Sequence, residues 1–314
     1  MSAQHIYDTV IIGGGPAGYS AAIYASRASL DALVLERGIP GGQIATSDFI
    51  DNYPGIPGLS GLELGQRMAD HASQAGAKLE YGSVASIERL EDGTFSIASD
   101  MQSYHTRSLI IATGASPRPA GFEGEDTFRG RGVSYCATCD GMFYKGKHVF
   151  VIGGGNSACE EAIYLSKIAQ RVEVVLRRDV FRASRGMVDR VLARENITVR
   201  YLSSIVKVEG ENLITKITFA NNQTGEDHVE SFDPGTVGVF VATGHIPETH
   251  LVKDLVEVSK DGSVVVDSSM ATQTPGLFCA GDIRAGSLRQ VVTAAADGAI
   301  AGVSAYKYIE NMFW

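Results

Sequence analysis

The sequence predicts an α/β protein of two three-layer (ββα) domains, the second inserted into the first. Three observations predict it. An apolar run, a glycine turn and an amphipathic helical pattern occur at TVIIGGGPAG (9–18) and again at VFVIGGGNSA (149–158). Two further runs echo each other, LIIATG (109–114) and VFVATG (239–244). Each is followed by a proline-bearing connector, Ser116-Pro117-Arg118-Pro119 and then His245-Ile246-Pro247-Glu248. Proline restricts the chain and suits a crossing between domains. The expected division is 1–117 and 247–314 for one domain and 118–246 for the insert.

The chain has 314 residues, enough for about two domains. It is 44% hydrophobic and 20% charged, which supports a packed core, and its net charge of −9 argues against non-specific nucleic-acid binding. MSAQHIYDTVIIGGG has no basic stretch leading into a long apolar run, so no signal peptide is read there. No apolar run approaches a membrane span of roughly 20 residues. The expected location is the cytoplasm, where a permanent structural disulfide is disfavoured.

The first glycine turn has the form of a Rossmann-like phosphate cradle. Gly13 permits the tight turn, Gly15 lets backbone approach a pyrophosphate, and Gly18 lets helix and strand pack closely. Pro16 and Ala17 open the helix, whose N-terminal N–H groups and dipole face the phosphates. The next strand, ALVL (32–35), leads to Glu36, which can accept ribose hydroxyls and would repel a 2′-phosphate. FAD or NAD suits this site. Gly41, Gly42, Gln43 and the Asn52 region are candidates to approach the same ligand, as are Ala112 and Gly114 at the end of the first echo. Runs such as TFSI (94–97) and ITKITF (214–219) interrupt the βαβ order and are expected to be antiparallel additions.

Cys136 and Cys139 follow, spaced CxxC, with Asp140 directly after. A zinc site would need two more ligands at comparable spacing, and none is present; Cys159 and Cys279 lie in apolar surroundings as small fillers. A redox pair fits better. A thiol at a helix start has a lowered pKa, and an adjacent carboxyl can move the proton that thiol–disulfide exchange requires.

The second cradle is Gly153 and Gly155, with Asn156 and Ser157 opening its helix. Its second strand, VEVVL (172–176), leads into Arg177 and Arg178, with Arg182 and Arg185 close behind. Guanidinium groups bind phosphate bidentately, so NADPH is expected over NADH. Near the C-terminus, Gly281 and Asp282 follow the strand LFC (277–279), placing a carboxyl where a ribityl hydroxyl could bond.

With these residues set out, the whole chain resembles bacterial-type, low-molecular-weight thioredoxin reductase. GGGPAG (13–18), GGQ (41–43), the paired ATG strands, CATCDG (136–141), GGGNSA (153–158), RRDVFR (177–182), AGDI (280–283) and RQVVTAAADGA (289–299) occur in the family's order. The redox pair lies in the second nucleotide domain rather than the first, unlike the glutathione reductase relatives. The resemblance implies FAD on the first domain, through Gly13, Gly15, Gly18, Glu36, Gln43, Asn52, Asp282, Arg289 and Gln290, and NADPH on the second. It implies that Cys139 is the flavin-proximal sulfur, that Cys136 attacks the disulfide of thioredoxin, and that Asp140 is the acid–base group. It also implies a homodimer whose two nucleotide domains rotate about the connectors. Three places depart from the family pattern: Leu176 for its histidine, Leu288 for its tyrosine, and a terminal Met312-Phe313-Trp314 that reads as an apolar helix end, an aromatic lid on the flavin or a dimer contact. The alternative reading keeps the fold and changes the electron donor or acceptor, as in a ferredoxin-linked flavin-thioredoxin reductase or a dithiol oxidase.

Overall fold

The computed structural model describes residues 5–47 and 49–311, so the terminal Phe313-Trp314 lies outside the described residues. The chain forms two compact units, 1–116 with 246–314, and 117–245.

The first unit is built on a seven-stranded sheet. Lys78–Tyr81, Ala32–Glu36, Ile6–Ile12 and Ser103–Ile111 lie side by side in parallel. The nine-residue strand Ser103–Ile111 is shared along its far edge. Its first half pairs antiparallel with Phe95–Ser99, which pairs in turn with Val84–Arg89, and its last three residues pair parallel with Leu277–Cys279.

Parallel strands covered on both faces read as continuous apolar runs, and the alternation here separates two cores. Ile11, Val34 and Ile110 face a helical layer with Ala21, Ala25, Ala301 and Ala305. Val10, Ile12, Leu33, Leu35, Leu109 and Ile111 face the opposite layer with Phe95, Ile97, Val252 and Val264. The helical layer pairs Pro16–Arg27 with the long helix Val291–Asn311. Alanine and glycine at their contact let the backbones come close, so that Gly298 stands against the carbonyl of Ala17.

The second unit repeats the winding. Ile197–Arg200, Arg171–Val175, His148–Ile152, Val237–Val241 and Val133–Ser134 make a five-stranded parallel sheet. One face packs on Asn156–Leu165 and Arg185–Leu192 through Val149, Val151, Val172 and Val174. The other packs on the antiparallel strands Ser203–Glu209, Lys216–Asn221 and Asp227–Ser231 through Phe150, Val239, Ile217 and Phe219. The layers are thus helix, parallel sheet, antiparallel sheet.

A buried charge ties these layers together. Glu173, 5% exposed, accepts from Arg200 Nε at 2.5 Å and from Arg171 Nη2 at 3.0 Å, and Arg200 reaches on to Glu230 at 2.6 Å. Burial alone would raise the Glu173 carboxyl. The His148 ring 3.6 Å away, the Arg200 hydrogen bond and the charges of Arg200 and Arg171 outweigh it and drive the carboxyl down to about 2.

The expected strand 172–176 ends one residue early, at Val175. Leu176 is buried and turns into the helical core, where its Cδ2 stands beside Gly154. Among the described residues no helix is long and apolar enough to cross a membrane.

Candidate functional site

Two cradles and one sulfur pair make up the candidate chemistry. In the first unit Gly13 has φ +108°, and a Cβ there would run into the carbonyl oxygen of Ala112. That constraint seats the turn on the neighbouring strand end, where Ala112 N–H also donates to the Ile12 carbonyl at 2.8 Å. Gly15 is different. Among the described residues it caps the helix Pro16–Arg27 without a side-chain partner, and the only atom near a Cβ there is Gly41 O at 3.8 Å. A helix N-terminus with open space before it is suited to phosphate.

Glu36, at the end of its strand, accepts from the backbone N–H of Gly14 and, at 2.7 Å, from that of Gly38. The GGQ loop folds over the same turn. Gly41 N–H donates to Gly14 O at 2.8 Å, and a Cβ on Gly42 would stand 3.5 Å from Gly15 Cα. Gln43 follows in a short 3-10 turn, exposed.

Gly281, at φ +82°, stands against Ala17, so the C-terminal segment reaches the same helix start. Next to it the Asp282 carboxyl is pushed up, chiefly by burial, and accepts from the Ser287 hydroxyl at 3.1 Å. Asn52 donates to Gln290 at 3.0 Å, joining residues 238 positions apart. Among the described residues Arg289 Nε, buried, has no hydrogen-bond partner, an orphan donor beside this group. Gly114, at φ +74°, accepts from Glu248 N–H at the chain crossing.

The second cradle repeats the geometry. Gly153 has φ +142° with the Ala242 carbonyl where a Cβ would go, and Gly155 has no described residue within 4 Å of that position. Asn156 opens the helix, and its Oδ1 accepts from Ser184 N–H at 2.9 Å; Ser157 follows, exposed. The arginine segment is folded onto this turn, because Arg182 N–H donates to Gly154 O at 2.7 Å. Arg177, Arg178 and Arg182 are all exposed. Leu176 stays in the core, away from that exposed basic surface.

Cys136 and Cys139 are joined as a disulfide, with Cα atoms 5.3 Å apart. Cys136 caps the single helical turn Ala137–Asp140, and its sulfur accepts from Cys139 N–H at 3.2 Å. Ala137 anchors the turn in the core, and Gly141 ends it where a side chain would press on Tyr164 and Leu165. Cys136 is half-buried and Cys139 exposed.

Asp140 Oδ2 accepts from the Ser134 hydroxyl at 2.6 Å, and Ser134 Oγ in turn accepts from Cys136 N–H at 3.1 Å. The pair of residues before Cys136 is thus held by carboxylates, since Tyr135 also donates to Glu125 at 2.6 Å. Sequence reasoning missed Ser134, Tyr135 and Glu125. A serine two positions before an N-cap is a local side-chain-to-backbone pattern that could have found the first. Cys159 and Cys279 are buried, and burial raises both thiols.

The arrangement places a strained glycine turn with an open helix start in each unit, and a disulfide in the second. A family model described as pyridine nucleotide-disulphide oxidoreductase matches residues 7–298. The chain belongs to the pyridine nucleotide-disulphide oxidoreductase family. Within that family it is similar to a thioredoxin reductase of Listeria monocytogenes, 42% identical over 313 residues, covering 99% of this chain and 96% of the relative. It is also similar to the thioredoxin reductase of Bacillus subtilis, 40% identical over 314 residues, covering 99% and 98%. A crystal structure of thioredoxin reductase from Streptococcus pyogenes matches with a TM-score of 0.91 at 40% identity, covering 98% of this chain and 100% of that one. As a pyridine nucleotide-disulphide oxidoreductase, the chain carries its sulfur pair in the unit that also holds the arginine-flanked cradle.

Proposed function

We propose that this chain is an NADPH-dependent thioredoxin-disulfide reductase. The observation that carries the reading is the Cys136–Cys139 disulfide, which caps a helical turn beside an acid.

The cradles fit two dinucleotides. In the first unit, Gly15 opens onto space, Glu36 ends its strand, and the buried Asp282 carboxyl and orphan Arg289 Nε remain for a ligand. These residues, with Gly13, Pro16, Ala17, Gly18, Gly42, Gln43, Asn52, Ala112, Gly114, Gly281 and Gln290, would hold FAD. In the second unit, Gly153, Gly155, Asn156 and Ser157 would hold the NADPH pyrophosphate, and Arg177, Arg178 and Arg182 its 2′-phosphate. A bound FAD supplies the two-electron relay between nicotinamide and sulfur.

The rest is the chain's own chemistry. The Cys136–Cys139 disulfide gains two electrons and two protons, one proton with the electrons of NADPH and one from solvent. Cys139 N–H then stabilises a thiolate on Cys136, the N-cap sulfur. That thiolate attacks a sulfur of the thioredoxin disulfide, whose S–S bond breaks, and the proton that Cys136 gave up goes to the first thioredoxin sulfur released. Cys139 next attacks Cys136, re-forming the intrachain disulfide and releasing the second thioredoxin sulfur. Asp140 takes the proton lost by Cys139 and gives one to the leaving sulfur. The working form is taken as a cytoplasmic homodimer, as the full-length similarity to thioredoxin reductases supports.

An anaerobic titration tests the reading. Bleaching of the flavin band by stoichiometric NADPH, poorer bleaching by NADH, and return of colour on adding oxidised thioredoxin are expected. A protein bleached by dithionite but by neither nucleotide has another electron donor, and the reading fails.

A further inference from the structure

We propose that Ser134 is a positioning residue that holds Asp140 in both protonation states of the exchange reaction. The inference rests on the thioredoxin-reductase reading above. Thiol–disulfide exchange needs an acid that alternates, since Asp140 must accept the Cys139 proton and then surrender one to the leaving sulfur. A side chain held by its neighbours in only one of those states would have to be repositioned at every turnover.

Ser134 is the last residue of the edge strand Val133–Ser134, paired with Phe240 on the neighbouring strand, and it is 4% exposed. Its hydroxyl oxygen stands 2.6 Å from Asp140 Oδ2, 3.1 Å from Cys136 N and 3.5 Å from Cys136 O. A serine hydroxyl has one donor and two acceptor lone pairs. With Asp140 ionised, the Ser134 proton lies on Oδ2, and one lone pair takes the Cys136 N–H. With Asp140 protonated, the acid donates to Ser134 Oγ, and the Ser134 proton turns toward the Cys136 carbonyl. No side chain has to change rotamer, and two hydrogens change partner, the Ser134 proton taking the longer contact to a carbonyl that also accepts the Cys139 and Asp140 N–H groups. Burial keeps water from standing in for the hydroxyl. The same oxygen fixes the backbone of Cys136, so acid and attacking sulfur share one anchor.

The test uses the flavin-loaded protein with NADPH and oxidised thioredoxin. Ser134→Ala is expected to lower kcat about tenfold, the worth of a lost hydrogen bond to a charged group, with KM for thioredoxin unchanged. Bleaching by NADPH should keep its wild-type rate, which reports an intact fold. Ser134→Thr, which keeps the hydroxyl, should retain at least about half the wild-type kcat. In an Asp140→Asn background, Ser134→Ala should cost clearly less than it does in the wild type, only the hold on Cys136 N–H being left to lose, since residues acting as one unit are not additive. A kcat for Ser134→Ala within about twofold of wild type, or losses that multiply with Asp140→Asn, overturns the proposal. Failure of the underlying reading looks different: the wild type itself would then reduce no disulfide with NADPH.

Discussion

Tyr135 donates its phenolic proton to Glu125 Oε1 at 2.6 Å, and the same carboxylate accepts the N–H groups of Ala120 and Gly121 at 2.8 and 2.6 Å. One buried acid therefore fastens the residue before Cys136 to the segment that follows Pro117-Arg118-Pro119. Burial, with the Glu125 hydrogen bond, raises the Tyr135 phenol. Tyr135→Phe removes one of three donors and leaves Glu125 served by the other two. A loss of about 1–2 kcal/mol in urea unfolding is expected, with NADPH bleaching unaltered. Glu125→Ala strands three donors at once and should cost clearly more.

The arginine segment gives a cofactor prediction. Arg177 and Arg178 are exposed beside the second cradle. Replacing both by alanine should raise KM for NADPH by about 10- to 100-fold, the worth of charge-assisted bonds to a phosphate. KM for NADH should hardly move. Steady-state kinetics with each nucleotide decides the matter, and equal losses for both would disconnect these arginines from the 2′-phosphate.

Gly155 and Gly153 separate binding from folding. A Cβ at Gly155 meets no described residue within 4 Å, while one at Gly153 meets the Ala242 carbonyl at φ +142°. Gly155→Ala should leave the melting temperature unchanged and, on the proposed reading, weaken NADPH binding more than about tenfold, by occupying the space that reading gives to the pyrophosphate. Gly153→Ala should lower the melting temperature. Calorimetry of each variant with NADPH reads both effects.

Acid exposes the Glu173 cluster. Its carboxyl lies at about 2 in the fold against 4.5 for the ordinary group. The unfolded chain therefore binds the proton first, and the stabilisation is full above about pH 5 and fades as pH falls toward 2. Glu173→Gln should cost about 3 kcal/mol at pH 7, and the gap from wild type should narrow below pH 4.5 in acid unfolding.

Glu161 predicts the opposite slope. Burial, then the charge of Glu160, pushes its carboxyl from 4.5 up to about 8, and its Oε2 has no hydrogen-bond partner among the described residues. The folded chain holds that proton after the unfolded chain has released it, so stability falls as pH rises from about 4.5 to about 8. Glu161→Gln should melt with the wild type near pH 5 and above it at pH 9. Thermal melts at the two pH values check the sign.

Much of this was legible in the sequence because it is local. Each glycine cradle is a contiguous strand, turn and helix, and the alternation of strands with helices announced the parallel sheets. The interruptions at 94–97 and 214–219 do fall in antiparallel strands, Phe95–Ser99 and Lys216–Asn221. What stayed hidden depends on the fold bringing distant residues together. Glu173 meets Arg200 27 positions away, and Asn52 meets Gln290 across 238. Leu176 stands out in the sequence as an unusual residue, but its inward direction follows from where the strand ends. Ser134 was near enough to read, yet a serine beside a redox motif has many ordinary roles, and only the shared contact with Asp140 and Cys136 singles it out.

The two remaining thiols have a practical consequence. Cys159 and Cys279 are sealed in the two cores with their thiols raised, so a charged alkylating reagent at neutral pH should leave them unlabelled. A native chain then registers either no added mass or two labels, with Cys136 and Cys139 as the only reporters. Intact-mass spectrometry of cells quenched with such a reagent reads the chain as a binary gauge: the fraction doubly labelled is the fraction carrying a spare electron pair.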